Sequence, residues 1–278
     1  MNPLSQHGTI LRAARRRAVV ELKLQLRSRR ERAGHAFVPA MMAVVLVLLG
    51  QDVIPGTNSR YAELLLAGGL ALSVVTTSLL GLMQWLATDR EEGALLRLRG
   101  VPGGVQSYLL GKLAVLGVLT LGYVVALLAI GVVVSGTGLP PGLPGWVNLT
   151  WVLLLGVLAM SGLGAIGGAL APNPRLVAVL GLFLMGLIPL SGIFFPADSL
   201  PGPLRIVGEV FPLSWLAEGI RIAFTPGPAP ARLLAVGLVL GAWTVLGAVC
   251  APPLLRRMTR LQSGSALAKA RAQAPSCQ

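Results

Sequence analysis

The chain has 278 residues, of which 54% are hydrophobic and only 12% charged, with a formal net charge of +13. Its mean hydropathy of +0.77 is far above that of a soluble domain and indicates a polytopic membrane protein. The positive charge does not indicate nucleic acid, because the basic residues lie beside apolar runs rather than on a soluble face. The two cysteines, Cys250 in an apolar run and Cys277 in the tail, have neither metal nor redox spacing and are expected as free thiols.

Residues 1–35 carry nine basic residues (Arg12, Arg15, Arg16, Arg17, Lys23, Arg27, Arg29, Arg30, Arg32) against Glu21 and Glu31. Ile10, Leu11, Ala14, Val19, Val20, Leu22, Leu24 and Leu26 are interleaved with them, and no aromatic residue is. The pattern predicts a basic amphipathic helix on the cytoplasmic headgroups; the plainer alternative is a basic tail that only sets topology. So charged a start does not read as a cleaved signal peptide.

Six apolar runs follow, at about 36–54, 62–87, 108–135, 147–171, 176–195 and 232–254. Each approaches the roughly 20 residues that a membrane crossing needs. The first is interrupted by Pro39, and its Gln51 and Asp52 belong at the far interface. Trp85, Trp146 and Trp151 fall near run ends, as an interfacial belt predicts. Six spans put both termini on one side. That side would hold nineteen basic residues, including Arg175, Arg256, Arg257, Arg260, Lys269 and Arg271. The other side would hold four, Arg60, Arg205, Arg221 and Arg232. The positive-inside rule therefore places both termini and the 88–112 region in the cytoplasm.

Between the second and third runs lies a polar island, residues 88–102, with six charges in fifteen residues. Thr88 and Glu91 have capping-box spacing. Asp89, Glu91 and Glu92 suit a first turn and Arg97 and Arg99 a last one. Gly100 and Pro102 then act as a stop. The expectation is a separate polar helix of about ten residues beginning at Thr88, with Leu95 and Leu98 on a common face. It serves either as a solvated connector or as a docking helix for a cytoplasmic partner. On the outer side, the 196–230 segment is broken by prolines into two short amphipathic pieces. They either dip into the leaflet as half-helices or lie flat on it.

The later runs hold almost no ionisable residue; Glu63 and Lys112 sit at run ends. This argues against an ion-coupled transporter, which needs charges within its bundle. Ser73, Thr77, Gly81 and Gln84 share one helical face in the second run, with Thr76 and Ser78 beside it. That face is either a moderately polar wall of a substrate path or a set of interhelical hydrogen bonds. Gly164 with Gly168, and Gly237 with Gly241, have the spacing that allows close helix packing. Gly111-Lys112 is no phosphate loop, since it lacks the earlier glycine and heads an apolar run. With histidines only at 7 and 35, neither a zinc site nor a Ser/His/Asp set can be assembled.

The segment Asp89-Arg90-Glu91-Glu92-Gly93-Ala94-Leu95-Leu96-Arg97-Leu98-Arg99-Gly100-Val101-Pro102, leading to Gly111-Lys112, resembles the cytoplasmic signature of ABC-2 type transporter permeases. Ser191-Gly192-Ile193-Phe194-Phe195-Pro196, Leu200-Pro201, Phe211-Pro212-Leu213 and Gly219-Ile220-Arg221 resemble that family's second signature. Ala94 departs from the threonine that members often carry, and Leu96-Arg97-Leu98-Arg99 is unusually arginine-rich.

The resemblance implies an all-α protein with six transmembrane helices, an N-terminal interfacial helix (1–35) and a 36–254 transmembrane domain. That domain would include a coupling loop at 88–107 and an outer re-entrant region at 196–230, and a basic cytoplasmic tail (255–278) would follow. It implies a cell-membrane exporter, not itself an enzyme, driven by a separate ATP-binding subunit that holds ATP and magnesium, with a second permease copy completing the path. Arg90, Glu91, Glu92, Arg97 and Arg99 would contact the ATPase, and Gly93 would allow close approach. Ser191, Phe194, Phe195 and Pro196 would join Ser73, Thr77 and Gln84 along the route. An uncharged route favours an amphipathic drug, antibiotic or lipid as cargo. The alternative is a membrane scaffold without transport. Neither reading includes nucleic acid.

Overall fold

The computed structural model describes residues 3–50, 61–94, 103–136, 139–171, 173–187, 210–225, 227 and 230–273. Every regular element among them is a helix. In chain order these are α1 (Pro3–Arg27), α2 (Arg29–Leu49), α3 (Tyr61–Glu91), α4 (Gly104–Ile130), α5 (Gly142–Leu170), α6 (Pro174–Leu187), α7 (Pro212–Phe224) and α8 (Pro230–Gln273).

Five of these hold stretches long and apolar enough to cross a membrane: Glu31–Leu49, Tyr61–Glu91, Gly104–Val134, Gly142–Leu170 and Pro230–Leu255. They match five of the six runs read from the sequence. The remaining run begins in α6, which is apolar but only 14 residues long; residues 188–195 lie outside the described residues. Four of the five stretches, of 31, 31, 29 and 26 residues, exceed the length a bilayer requires. At 1.5 Å per residue, the 31 residues from Gly104 to Val134 extend roughly 46 Å, against a hydrocarbon core of about 30 Å. Their ends therefore project beyond the apolar layer, where polar side chains can gather.

Ser28 separates α1 from α2. Its backbone is extended (φ −71°, ψ 123°), and its hydroxyl accepts a hydrogen bond from the Glu31 amide at 3.3 Å. This satisfies one free donor of the new helix. The basic segment 1–35 is thus divided at Ser28, and the helix that holds the first apolar run already contains Arg29 to His35. α1 does not stand apart from the bundle. It runs in the same direction as the first half of α4: Ile10 lies beside Gly103, Ala14 beside Gly111 and Glu21 beside Lys112. A Cβ on Gly111 would come within 3.2 Å of the Ala14 carbonyl, so the small residue sets how closely the helices approach.

α3 is the hub. Of its most apolar 18-residue window, 83% is buried, against 17% for α2 and for α8. Leu70, Val74, Leu82 and Leu86 form its buried stripe within a core shared with α2, α4, α5, α7 and α8. The helix is widened to a π-helix over Val75–Gly81. Local hydroxyls occupy carbonyls there and just before: Ser73 donates to Leu70, Thr76 to Leu72 and Ser73, and Thr77 to Ser73. α5 presses on this widened turn, because a Cβ on Gly164 would meet the Leu79 carbonyl at 2.6 Å and the Ser78 carbonyl at 2.8 Å. Gly168 likewise abuts Leu86 and the Met83 carbonyl, so the expected packing at Gly164 and Gly168 is present. The Gly237 and Gly241 pair is different: Gly237 faces only the rim of Trp151, and Gly241 has no neighbour within 4 Å. The close crossing of α5 with α8 is made at Gly162 and Gly247 instead.

α7 begins after an extended Phe211, with Pro212 at its first position, where the missing N–H costs nothing. Its 13 residues reach about 20 Å, too short to span. It buries Leu213, Leu216, Ala217, Ile220 and Ala223. Gly219 lets it seat between Val152 of α5 and Val236 of α8. This second piece of the 196–230 segment is thus a short helix packed against α3, α5 and α8, while the first piece lies outside the described residues.

Gly164→Ala should lower thermal stability in detergent by about 1–3 kcal/mol, because its methyl meets backbone that cannot rotate away. Gly241→Ala should be neutral or slightly stabilising. Equal melting temperatures for the two variants would contradict this packing.

Candidate functional site: a buried ion cluster at the loop end

Residues 88–102 do not contain a helix that starts at Thr88. The helix of the second span continues through Thr88 to Glu91, because Leu82, Met83, Leu86 and Ala87 carry its buried face to that point. The Thr88 carbonyl accepts from the Glu92 amide in an ordinary helical bond. Asp89, Glu91 and Glu92 therefore lie at a helix C-terminus, not in a first turn. The end comes at Gly93, in the left-handed region at φ 68°. A Cβ there would meet nothing within 4 Å in this chain, so the position needs the backbone angle rather than space. Ala94 is helical again, and residues 95–102 lie outside the described residues. Gly103, at φ 71°, leads into α4. Two left-handed glycines thus bracket the loop.

The loop end is fastened by one cluster. Lys112 is nine residues into α4 and only 5% exposed. Its ammonium is bonded to Glu21 of α1 and lies 3.2 Å from Asp89 Oδ2 at the end of α3. Tyr108, one turn earlier on the same face of α4, donates its hydroxyl to Asp89 Oδ2 at 2.5 Å. The ammonium also lies 4.7 Å from the Trp85 ring centroid and 5.5 Å from that of Tyr108. Trp85 and Asp89 are four residues apart, so one face of α3 supplies both an aromatic wall and a counter-charge. Three helices meet on a single cation.

Arg90 turns to the other neighbour. Its guanidinium donates at 2.9 Å to the carbonyl of Ala171, which ends α5. A cation at a helix C-terminus is the favourable pairing with the helix dipole. Adjacent residues thus tie the end of α3 to α1 and α4 on one side and to α5 on the other. Glu91 and Glu92 are exposed beyond these ties. Farther along α4, Tyr123 Oη lies 3.0 Å from His35 Nδ1, and His35 Nε2 lies 3.3 Å from Gln25 Oε1, a second bridge among α1, α2 and α4.

A model of the ABC-2 type transporter family matches residues 18–225. The chain belongs to that family. No protein among the curated set matched it. The family match takes in Glu21, Asp89, Lys112 and the half-helix α7 of this ABC-2 permease, while α8 lies beyond it.

The other anticipated site residues are distributed as follows. Ser73 and Thr77 are buried inside the chain; besides its bond to the Ser73 carbonyl, Thr77 Oγ1 lies 3.3 Å from Thr120 Oγ1 of α4. The Ser73 hydroxyl donates to the Leu70 carbonyl of its own helix, and Thr77 alone of the two also reaches another helix. Gln84 is partly exposed. Arg97, Arg99, Ser191, Phe194, Phe195 and Pro196 lie outside the described residues. Sequence reasoning set Lys112 at a run end and missed its partners Glu21, Tyr108 and Trp85. A signal existed: a lone lysine in a run of apolar residues requires counter-charges, and Asp89 and Glu21 are among the few acids of the whole chain.

Removing one member of the cluster leaves buried charge uncompensated. Lys112→Met should cost about 2 kcal/mol, below the value for a fully buried pair because both carboxylates are about a quarter exposed. In a thermal double-mutant cycle, Glu21→Gln with Lys112→Met should cost less than the two single losses combined. Strictly additive losses would show that the pair is not coupled.

Proposed function

We propose that this chain is the membrane subunit of an exporter worked by a separate ATP-binding subunit, which docks at the loop end, on the cytoplasmic side. The observation that carries the reading is the arrangement at that end. A loop bracketed by Gly93 and Gly103 joins α3 to α4, and the Lys112 cluster and Arg90 connect its base to α1, α4 and α5. A push on the loop therefore has rigid attachments through which to move several helices. Membership in the ABC-2 family supports a transporter subunit of this kind. The charge asymmetry supports the sidedness, and in this reading nucleotide and its magnesium bind the partner, in keeping with a sequence that offers no phosphate-binding loop.

In this reading Glu91 and Glu92, exposed at the tip of α3, meet basic groups of the ATPase, with Arg97 and Arg99 contributing from the loop. α2 and α8 leave most of their surface uncovered, available to lipid or to a second permease copy. The cargo is amphipathic, of the drug, antibiotic or lipid kind, and the substrate route runs between two copies rather than through the buried core around Ser73 and Thr77.

Glu91→Lys with Glu92→Lys should release the ATP-binding subunit in co-purification, or abolish permease-dependent stimulation of its ATPase at least tenfold. The permease alone should hydrolyse no ATP. Wild-type stimulation in the doubly reversed variant would overturn the docking assignment, and a scaffold without transport would then be the better reading.

A further inference from the structure

A cleft of about 610 Å3 opens beside the ion cluster, between α1, the end of α3 and the start of α4. One face of α1 lines it with Arg16, Arg17, Val20, Glu21 and Leu24. The cleft's charges are not all spent in the same way. Glu21 and Asp89 are both engaged by Lys112, and Asp89 also by Tyr108. Arg16 and Arg17 are exposed and have no carboxylate partner among the described residues. Val20 and Leu24 are 57% and 64% exposed, although they stand one and two turns beyond Arg16 on the same face.

The order of these groups matches a lipid. Along α1 the two guanidiniums come first, nearer the loop end where Ile10 lies beside Gly103, and the two exposed apolar side chains follow. About 12 Å separates Arg16 from Leu24 along the helix. A basic patch next to an exposed apolar one is the chemistry that holds an anionic headgroup together with its chain. A free anion would use the basic patch but gain nothing from Val20 and Leu24. A zwitterionic lipid would bring its own cation toward Arg16 and Arg17.

We infer that this cleft binds one anionic glycerophospholipid of the leaflet at the loop end. Its phosphate sits over Arg16 and Arg17, and an acyl chain lies along Val20 and Leu24. Bound there, the lipid contacts both α1 and the Lys112 cluster, so membrane composition acts on the joint through which the loop moves the bundle. The lipid assignment uses the sidedness adopted under the proposed function only to name the leaflet as the inner one. Binding itself does not require the ATPase.

The test uses the full chain, delipidated in neutral detergent without partner, and native mass spectrometry with added phosphatidylglycerol, phosphatidylcholine or inorganic phosphate. Wild type should retain one phosphatidylglycerol in preference to phosphatidylcholine. Arg16→Gln with Arg17→Gln should weaken retention about thirtyfold, and the double lysine variant should stay within a few fold of wild type, since each site charge acts chiefly as a point charge near the surface. Val20→Asn with Leu24→Asn should also weaken lipid retention. Unchanged phosphatidylglycerol retention in the double glutamine variant would overturn the assignment. So would displacement of the lipid by equimolar inorganic phosphate, which would reveal a simple anion site. Because no ATPase is present, loss of this site and loss of the docking role are read separately.

Discussion

A lysine nine residues into an apolar helix has few ways to keep its charge. Lys112 solves the problem by drawing two carboxylates and two aromatic rings from its surroundings, and those groups come from α1, α3 and α4. The cation therefore fixes the relative position of three helices that the apolar core alone would hold only loosely. Between membrane helices there is little hydrophobic drive, and close packing and polar contacts set the arrangement. The glycine contacts of α5 at Gly164 and Gly168 position α3 from the opposite side. Between these two constraints the end of α3 is held, and the loop begins at that end.

The same hub carries a widened turn. Val75–Gly81 interrupts the regular hydrogen bonding of α3 between its deeply buried N-terminal half and the half that ends in Asp89 and Arg90. π segments commonly occur at functional positions in helices. Thr76 and Thr77 donate to the carbonyls of Leu72, Ser73 and Val74 just before the widened turn, which gives the hydroxyl residues of an otherwise apolar helix partners at this transition. Ser78 and Ser161 are buried with no hydrogen-bond partner among the described residues, so this layer of the bundle is less completely satisfied than those around it.

Much of the architecture was legible from residue pattern. Long apolar runs fixed five spanning helices to within a few residues, since a run that long has no other stable state in lipid. Local start signals were less secure. Ser28-x-x-Glu31 and Thr88-x-x-Glu91 have the same spacing, yet only the first begins a helix. Ser28 follows a stretch with no continuous buried stripe, whereas Leu82, Met83, Leu86 and Ala87 carry the α3 stripe up to Thr88 and keep the helix going. Capping chemistry decides a boundary only where packing leaves it open. The cluster was half legible: Asp89 and Lys112 stood out as charges beside apolar runs, but Glu21 is 91 residues from Lys112 and no local pattern joins them. The glycine pairs show the same limit, because spacing identifies a small face but not whether another helix lies against it.

In the proposed mechanism the Lys112 cluster transmits motion from the loop to α1. Neutralising all three charges together, as Glu21→Gln, Asp89→Asn and Lys112→Met, leaves no orphaned ion and should preserve the fold. Spin labels on Lys23 of α1 and Leu170 at the end of α5, both exposed, would report the separation of those elements in the complex with the ATP-binding subunit. Trapping nucleotide should change this distance in the otherwise wild-type permease and leave it fixed in the neutralised variant. The same change in both proteins would contradict the mechanism.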